Sequence, residues 1–311
     1  MQARSVTRLK ENIERLFIRT YSRGKNSNRV RCKVETAPPA FDNLRVTVGA
    51  GRADIVVDRA DKLNPLDKAT VRALREAVDW LESRNDVRVV VVTGDGRAFS
   101  AGGDLDGYVT LYRDREAFAA FLEDFFRLLV DIERSAKIYI AAVNGVCVAG
   151  GLELLLACDL AIAASDARIG DGHLNFGQLP GAGGSQRLPR AIGAMRAREL
   201  IFSGRLIDAA EAERIGLVCS VAPEGDLART VTAQVDRLLA HSARGLSTAK
   251  RLVNRGLEMS YEQALRFEID VVHDYATGDR DATEGLMAFR DKRAPEFSRT
   301  LGQRPNLTEE K

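Results

Sequence analysis

The sequence is poor in the residues that build disulfide frameworks and metal sites. Its 311 residues include four cysteines and three histidines. Cys32, Cys147, Cys158 and Cys219 are widely spaced and form no CxxC pair, and no HExxH motif is present. Neither a disulfide framework nor a zinc site uses such spacing. We therefore predict no metal, and buried free thiols in a reducing compartment.

Long apolar runs are also missing. The most apolar stretch, from Ile138 to Ala164, is interrupted by Asn144, Glu153 and Asp159, whereas a membrane-spanning helix needs roughly 18 or more apolar residues in succession. The composition, with 45% hydrophobic, 29% charged and 6% aromatic residues, is that of an ordinary globular protein. A membrane span, a coiled coil, a collagen-like chain and general disorder are therefore excluded.

The body of the chain has no excess of positive charge. The formal net charge is +2, but residues 1–36 hold ten basic and three acidic residues, so the remainder carries −5. This balance predicts no nucleic-acid partner. Apolar residues recur at helical spacing over 6–18. We interpret residues 1–40 as a flexible or partly helical extension of a bacterial cytoplasmic enzyme; a transit segment to an organelle matrix and a surface- or partner-binding helix are the alternatives.

Nucleotide-binding and serine-hydrolase motifs are absent too. No GxxxxGK[ST] occurs, and Gly94-x-Gly96 is followed by Phe99 where a dinucleotide motif has its third glycine. Neither Ser100 nor Ser185 stands in a GxSxG context. We interpret both serines as turn or cap residues, and NTPase, dehydrogenase and serine-triad functions are disfavoured.

What the sequence does contain is an alternation of strand and helix patterns. Leu44–Val48 and Ala53–Asp58 predict a hairpin, Asp67–Arg84 an amphipathic helix, and the valine run Val87–Thr93 a strand buried on both faces. The cycle then repeats, with helices over Glu116–Glu133 and Leu152–Cys158 and strands over Ile138–Val143 and Leu160–Ala164. This alternation predicts an α/β core.

From Leu227 onward the strand patterns disappear. Four successive helices are predicted, over Leu227–Ala240, Arg244–Glu258, Tyr261–Ala276 and Arg280–Arg290. We therefore divide the chain into a basic N-terminal extension (1–40), an α/β core (41–226) and a C-terminal helical region (227–311).

Glycines cluster at two strand-to-helix transitions. The first is 94–104, after the valine strand, and the second is 144–151, before the helix at Leu152–Cys158. Glycine lets a ligand approach the backbone, and unpaired N–H groups at a helix start favour a negatively charged oxygen. Two such loops, each donating one N–H, would form an oxyanion hole; two ordinary tight turns are the alternative.

Glu153 stands in the otherwise apolar helix after the second loop. A carboxylate is costly to bury without a partner, so this residue is a candidate general base with a raised pKa. A first-turn glutamate stabilised by the helix dipole is the alternative.

Five segments occur in a distinctive order along the chain. They are Lys62–Asp67, Ala98–Leu105, Ile140–Asp159 with its AAVNG and GGLEL stretches, Gly177–Leu188 with PGAGGSQRL, and Glu284–Phe297. Each is modest alone, but the ordered set is specific. Over roughly Phe41 to Phe297, the chain resembles the crotonase (enoyl-CoA hydratase/isomerase) superfamily.

The resemblance implies a crotonase-like spiral of ββα units, followed by a C-terminal helical region that assembles a homotrimer or a dimer of trimers. It also implies an acyl-CoA substrate whose thioester oxygen lies between the N–H groups of Gly103 and Gly150. Coenzyme A is part of the substrate, so no separate cofactor is implied. The residues beside Gly103 are implied to bind coenzyme A or substrate, namely Ala101, Gly102, Asp104 and Leu105.

One position departs from the family pattern. Hydratases of the family use two glutamates, at the position of Glu153 and twenty residues later, but the second position here is His173. Histidine both accepts and donates protons near neutrality, so we expect Glu153 to activate water and His173 to assist protonation. Asp171 is a candidate to orient the imidazole or to act as the acid instead. A lost position, with His173 only filling the pocket, is the other alternative.

We therefore expect an enzyme that hydrates 2-enoyl-CoA to 3-hydroxyacyl-CoA through an oxyanion-stabilised enolate. The alternatives are an enoyl-CoA isomerase, a C–C bond hydrolase of a CoA or β-dicarbonyl substrate that uses His173, and a non-catalytic binding protein of the same fold. Four aromatic residues are candidates for either the acyl pocket or the core, namely Phe118, Phe121, Phe125 and Phe126.

Overall fold

The body of the protein begins with the predicted hairpin. The structure, a computed structural model, describes residues 37–301, so the predictions for residues 1–36 lie outside the described residues. Strand β1 (Leu44–Gly49) pairs antiparallel with β2 (Arg52–Val57). The two-residue turn between them holds Ala50 and Gly51 at φ of 51° and 86°, the left-handed conformation that such hairpin turns require.

Two sheets organise the described residues. The other strands are β3 (Val89–Gly94), β4 (Ala98–Ser100), β5 (Ile138–Val143), β6 (Val146–Val148), β7 (Leu160–Ala164), β8 (Arg168–Gly170), β9 (Ile207–Asp208) and β10 (Ser220–Ala222). The six-stranded sheet has the order β1-β2-β3-β5-β7-β10, and the four-stranded sheet has the order β4-β6-β8-β9. The pairs β1–β2 and β8–β9 are antiparallel, and the other pairs are parallel.

Helices follow the strands and then dominate the C-terminal part. They are α1 (Lys68–Glu82), α2 (Leu105–Leu111), α3 (Arg115–Arg134), α4 (Gly150–Ala157), α5 (Gly184–Ile192), α6 (Ala194–Ser203), α7 (Ala209–Arg214), α8 (Leu227–Leu239), α9 (Ala243–Gly256), α10 (Tyr261–Gly278) and α11 (Arg280–Arg290). The predicted first helix is α1, where Asp67 caps the N-terminus by accepting the Thr70 N–H at 2.9 Å.

From β3 to β8, successive strands alternate between the two sheets. β3, β5 and β7 lie in the large sheet, and each is followed by a three-residue strand, β4, β6 or β8, in the small one. This repeated ββα unit confirms the predicted spiral. The short strands and α2 were not predicted, because three residues are too few to show a period and the flanking glycines indicate turns.

The valine strand β3 is buried on both faces, as predicted. Val90 and Val92 belong to the large core that also holds the apolar face of α1. Val89 and Val91 belong to a second core, together with Val231 and further residues of α8. The large sheet therefore separates two apolar layers, and α8 covers the one that faces away from α1.

The helical C-terminal region is confirmed. Within the described residues no strand follows Ala222, and helices α8 to α11 begin and end within two residues of the predicted limits. No helix between residues 37 and 301 has the length and apolarity that crossing a membrane requires. The limits placed at residues 40 and 226 stay predictions.

The prediction that every cysteine is a buried thiol is wrong at one position. Cys147 is buried in β6 and Cys158 is half-buried at the end of α4, but Cys219 is exposed. Cys219 lies just before β10 at the end of the sheet order, where its N–H pairs with Ala161 and its side chain is left to solvent. Cys32 lies outside the described residues. Between residues 37 and 301, no group of three His, Cys, Asp or Glu side chains is placed to hold a metal ion.

Candidate active site

The two glycine-rich loops lie against each other at the start of α4. Gly102 has a φ of 92°, and a Cβ at this position would stand 2.8 Å from the Ala149 Cβ and 3.2 Å from the Gly150 nitrogen. A Cβ at Gly151 would stand 2.5 Å from the Ser100 carbonyl oxygen. A side chain at either glycine would push the loops apart, since real Cβ atoms do not approach other atoms so closely.

The turn before α1 holds the first loop in place. Asn64 is fully buried at a φ of 56°, and its Nδ2 donates to the carbonyl oxygens of Asp95 at 2.9 Å and Ala98 at 2.7 Å. Two backbone bonds join the same turn to the loop, from Ala101 N to Leu63 O at 2.9 Å and from Leu66 N to Gly102 O at 2.7 Å. The Lys62–Asp67 segment is therefore a support for the loop, a role that the sequence alone did not indicate.

Two peptide N–H groups at this junction are unpaired within the described residues. The Gly103 N–H donates no hydrogen bond, and the Gly150 N–H belongs to the first turn of α4, where intrahelical acceptors are lacking. Ala149, the preceding cap residue, has φ 53° and ψ −117°, a conformation that residues with a Cβ rarely adopt. Unpaired N–H groups at a helix start favour a negatively charged oxygen.

The ring of Tyr108 covers the first of these glycines. A Cβ at Gly103 would stand 2.2 Å from the Tyr108 hydroxyl oxygen and 2.4 Å from two of its ring carbons. Tyr108 stacks on Tyr112, with 5.4 Å between ring centroids, and meets Phe121 edge-on. Burial raises the pKa of Tyr108, so its hydroxyl keeps its hydrogen at neutral pH and is able to donate beside Gly103.

Glu153 is held by the backbone of a distant segment. It is 2% exposed in the first turn of α4, and its Oε1 accepts hydrogen bonds from the N–H groups of Ala182 and Gly184, both at 2.8 Å. Burial raises the pKa of Glu153 and outweighs the lowering effect of these N–H groups. One carboxylate oxygen is thus fixed to the backbone, while Oε2 is left for other chemistry.

His173 stands between two carboxylates. It opens a 3₁₀ turn (His173–Phe176), and its Nε2 lies 4.0 Å from Glu153 Oε2. On the other side of the ring, Nδ1 lies 3.1 Å from Asp171 Oδ1. The His173 side chain is 13% exposed and those of Glu153 and Asp171 are 3% and 1% exposed. His173 is therefore the member of this group that is most accessible from outside.

Arg187 fixes the segment that holds Glu153. Its guanidinium donates to both carboxylate oxygens of Glu133, at 2.7 and 2.8 Å, and to the Ala182 carbonyl oxygen at 2.6 Å. The sequence offers Arg187 only as part of the QRL stretch. Its partner is 54 positions away, so no local pattern predicts the pair.

Comparison with protein families gives a match over most of the chain. The family described as enoyl-CoA hydratase/isomerase matches residues 47–300. The chain belongs to this family. It is 39% identical, over 78% of its length and 93% of the relative, to a Mycobacterium bovis protein named probable enoyl-CoA hydratase. It is 33% identical to the crotonyl-CoA hydratase of Syntrophomonas wolfei, over 83% and 98%.

Solved structures of enoyl-CoA hydratases share the fold. The crystal structure from Polaromonas sp. JS666 superimposes with a TM-score of 0.79 at 30% identity, covering 82% of this chain and 99% of that one. The structure from Bacillus anthracis gives 0.78 at 32% identity, with coverage of 82% and 99%. The expected crotonase-like fold is thereby confirmed.

In this member of the enoyl-CoA hydratase/isomerase family, a cavity of about 310 Å³ opens beside the first loop. Asp104, Tyr108, Leu111 and Phe121 are among its lining residues. Asp104 is also the residue before α2, whereas Leu105, the first residue of that helix, is 45% exposed and does not line the cavity. The structure thus brings Asp104 to the cavity and leaves Leu105 outside it.

The four candidate phenylalanines divide between different surroundings. Phe121 lines the cavity, and Phe125 is a core residue that a Cβ at Gly150 would approach to 3.3 Å. Phe118 is partly buried against Tyr112, with 4.8 Å between ring centroids. Phe126 is 51% exposed. Only Phe121 therefore combines burial with a place in the cavity wall.

Proposed function

We propose that the protein adds water to 2-enoyl-CoA thioesters and forms 3-hydroxyacyl-CoA. The observation that carries the proposal is the 4.0 Å distance between Glu153 Oε2 and His173 Nε2. Glu153 lies in the same helix turn as the unpaired Gly150 N–H. The hydratase names of the relatives support it.

In this proposal the two loops bind the thioester carbonyl. The N–H groups of Gly103 and Gly150 donate to its oxygen, and the Tyr108 hydroxyl lies beside the first of them. Negative charge develops on that oxygen when a nucleophile adds at C3 and an enolate forms. Each preorganised donor aimed at such a charge contributes roughly 3–4 kcal/mol to the barrier reduction.

The gap between Glu153 and His173 suits one water molecule. A water oxygen about 2.8 Å from each of two groups, at a tetrahedral angle, separates them by roughly 4.5 Å. The Oε2 to Nε2 distance is 4.0 Å. A water that donates to Glu153 and accepts from His173 is therefore held with an oxygen lone pair free for attack.

The chemical step then balances with these two groups alone. The water oxygen bonds to C3, and Glu153 Oε2 takes the proton released. The enolate collapses as C2 takes a proton from Nε2 of His173. The proton on Glu153 then returns to Nε2, so that one water has been added and both groups are restored. Coenzyme A is part of the substrate, and the reaction needs no further cofactor.

We also propose that the chain assembles as a homotrimer or a dimer of trimers. The support is a set of exposed apolar side chains on the last three helices, among them Val253, Ile269, Leu286 and Phe289, which are 62%, 61%, 74% and 72% exposed. Exposed apolar surface of this kind is typical of an interface. Light scattering on the purified chain tests the assembly, and a monomer would contradict it.

A product survey by mass spectrometry tests the function. Wild type, Glu153→Gln, His173→Ala and the control Glu116→Gln are incubated with crotonyl-CoA, a longer 2-enoyl-CoA, a 3-enoyl-CoA and a β-diketone. Glu116 is a suitable control because it is also a first-turn helix glutamate but is exposed. We expect wild type and the control to add one water to crotonyl-CoA, and Glu153→Gln to add none.

Other products would replace the proposal with one of the alternatives. Migration of the double bond without water uptake would indicate an isomerase, and cleavage of the β-diketone would indicate a C–C bond hydrolase. No turnover of any acyl-CoA would favour a non-catalytic binding protein. Full activity of Glu153→Gln would show that Glu153 is not the base.

A further inference from the structure

The steps of the proposed hydration assign no role to Asp171, a buried carboxylate of the site. The Asp171 side chain is 1% exposed, and its Oδ2 has no hydrogen-bond partner in the described part of the chain. A buried carboxylate is costly unless it is compensated. The group with which Asp171 pairs is the imidazole of His173, at 3.1 Å between Oδ1 and Nδ1.

A single glycine places these two side chains together. Gly172 lies between them at a φ of 66°, and a Cβ there would stand 2.6 Å from Val148 Cγ1. The tight turn lets Asp171 Oδ1 also accept the backbone N–H of His173 at 3.3 Å. The carboxylate is thereby bonded to the backbone of the same histidine whose ring it approaches.

We propose that Asp171 is a positioning residue for His173 and does not touch the substrate. It accepts the hydrogen on Nδ1, which leaves Nε2 as the nitrogen that exchanges a proton with substrate. It also stabilises the positive charge that the ring carries in its acid form. This inference rests on the proposed hydratase function and concerns the same site.

The geometry decides between the two roles expected for Asp171. Its carboxylate lies at the Nδ1 side of the ring, whereas Glu153 lies at the Nε2 side. It is also less exposed than the histidine. An acid that protonates C2 must reach the substrate, and His173 is the residue placed to do so.

The contact is close but not yet aligned as a hydrogen bond. Asp171 Oδ1 lies 3.1 Å from His173 Nδ1, but the angle is unsuitable, so Nδ1 makes no hydrogen bond. Catalytic hydrogen bonds are often poorly aligned in the free enzyme and tighten when substrate binds. The negative charge of Asp171 also contributes to the raised pKa of Glu153, so the three groups act on one another electrostatically.

Exchange of the C2 protons of butyryl-CoA with D₂O isolates the step that involves His173, because this saturated thioester takes up no water. The variants are Asp171→Asn and, as control, Asp166→Asn in the exposed turn before β8. Asparagine keeps an oxygen for the His173 N–H but removes the charge. We expect Asp171→Asn to lower both the kcat for crotonyl-CoA and the exchange rate by at least about tenfold, with KM little changed. The Asp166→Asn control should match wild type.

Combination with His173→Ala distinguishes positioning from a structural role. If Asp171 acts through the imidazole, Asp171→Asn should cause no further loss in the His173→Ala background. A further loss of similar size there would overturn the inference, as would wild-type kcat and exchange in Asp171→Asn. Failure of wild type to hydrate crotonyl-CoA would instead overturn the proposed function.

A measurement on the wild-type protein does not depend on the activity of any variant. In ¹⁵N-histidine-labelled protein, with His173→Ala used to assign the signals, the neutral ring of His173 should carry its hydrogen on Nδ1. A neutral ring with its hydrogen on Nε2 would contradict the role of Asp171.

Discussion

The space above Gly103 provides a sharp test of the oxyanion assignment. Gly103 is not among the glycines with positive φ, so alanine is acceptable to the backbone at this position. The added Cβ would nevertheless stand 2.2 Å from the Tyr108 hydroxyl oxygen and 2.4 Å from two ring carbons. Since these are rigid ring atoms packed between Tyr112 and Phe121, either the loop or the whole ring must move.

The size of the effect follows from which group moves. The loop is joined to the Leu63–Leu66 turn by bonds of 2.9 and 2.7 Å, so its displacement would strain those bonds and move the Gly103 N–H away from the thioester oxygen. Loss of one oxyanion donor lowers kcat by about 10² to 10³, or roughly 2.7–4 kcal/mol. We therefore expect Gly103→Ala to lose up to this factor while it still folds.

A second substitution should relieve the clash. Tyr108→Ala removes the ring, so the double variant Gly103→Ala/Tyr108→Ala should be more active than the product of the two single effects. Tyr108→Ala by itself gives the baseline of the double-mutant cycle. The assay is loss of the enoyl-thioester absorbance with crotonyl-CoA. Wild-type activity in Gly103→Ala, or a double variant no better than the product of the two single effects, would refute the reasoning.

Four further substitutions test other parts of the site. Arg187→Lys replaces a forked donor by a single one, so the turn holding Glu153 should loosen and kcat fall about tenfold, equal to about 1.4 kcal/mol; unchanged steady-state kinetics would argue against this support. In wild type, the pKa of Glu153 is raised in the folded protein, so the free energy of unfolding falls as pH rises from the ordinary glutamate pKa of 4.5 through the raised pKa. Glu153→Gln lacks this loss, so its melting temperature relative to wild type should increase over that window, and a constant difference would contradict the burial effect. Asn64→Ala removes three hydrogen bonds and should lower the free energy of unfolding in urea by roughly 3 kcal/mol, whereas a change below about 1 kcal/mol would show that the loop holds without them. His173→Glu crowds a third carboxylate into the site, so hydration should be higher in His173→Glu/Asp171→Asn than in His173→Glu alone; equal rates would exclude this charge effect.

Periodicity predicted the long elements well and the short ones poorly. The strand at Ile138–Val143 and the helix at Arg280–Arg290 have the predicted limits, because the strand is a continuous apolar run and the helix is long enough for apolar residues to recur at helical spacing. β4, β6 and β8 have three residues each. Their formation depends on parallel pairing with one another, and no property of a single segment reports such pairing.

The candidate site divides in a similar way. Glu153 and the glycine loops are evident from local sequence, since a charge in an apolar helix and clustered glycines are each unusual where they stand. The supports are not evident. Arg187 acts on Glu133 across 54 positions, and Asn64 acts on Ala98 across 34, so their roles follow only from the folded chain.

The charge balance of the proposed reaction gives His173 and Asp171 a joint role. In the proposed reaction, the second acidic group must hold one proton for C2 while Glu153 is ionised. A protonated glutamate does this as a neutral group. A protonated histidine alone would add a positive charge at the same place, and it would weaken Glu153 as a base through their 4.0 Å approach. The Asp171 carboxylate, 3.1 Å from the other ring nitrogen, cancels that charge. In this proposed mechanism the His173–Asp171 pair therefore supplies the same proton with the same net charge as a single carboxylic acid, and the buried aspartate balances the charge of the protonated histidine.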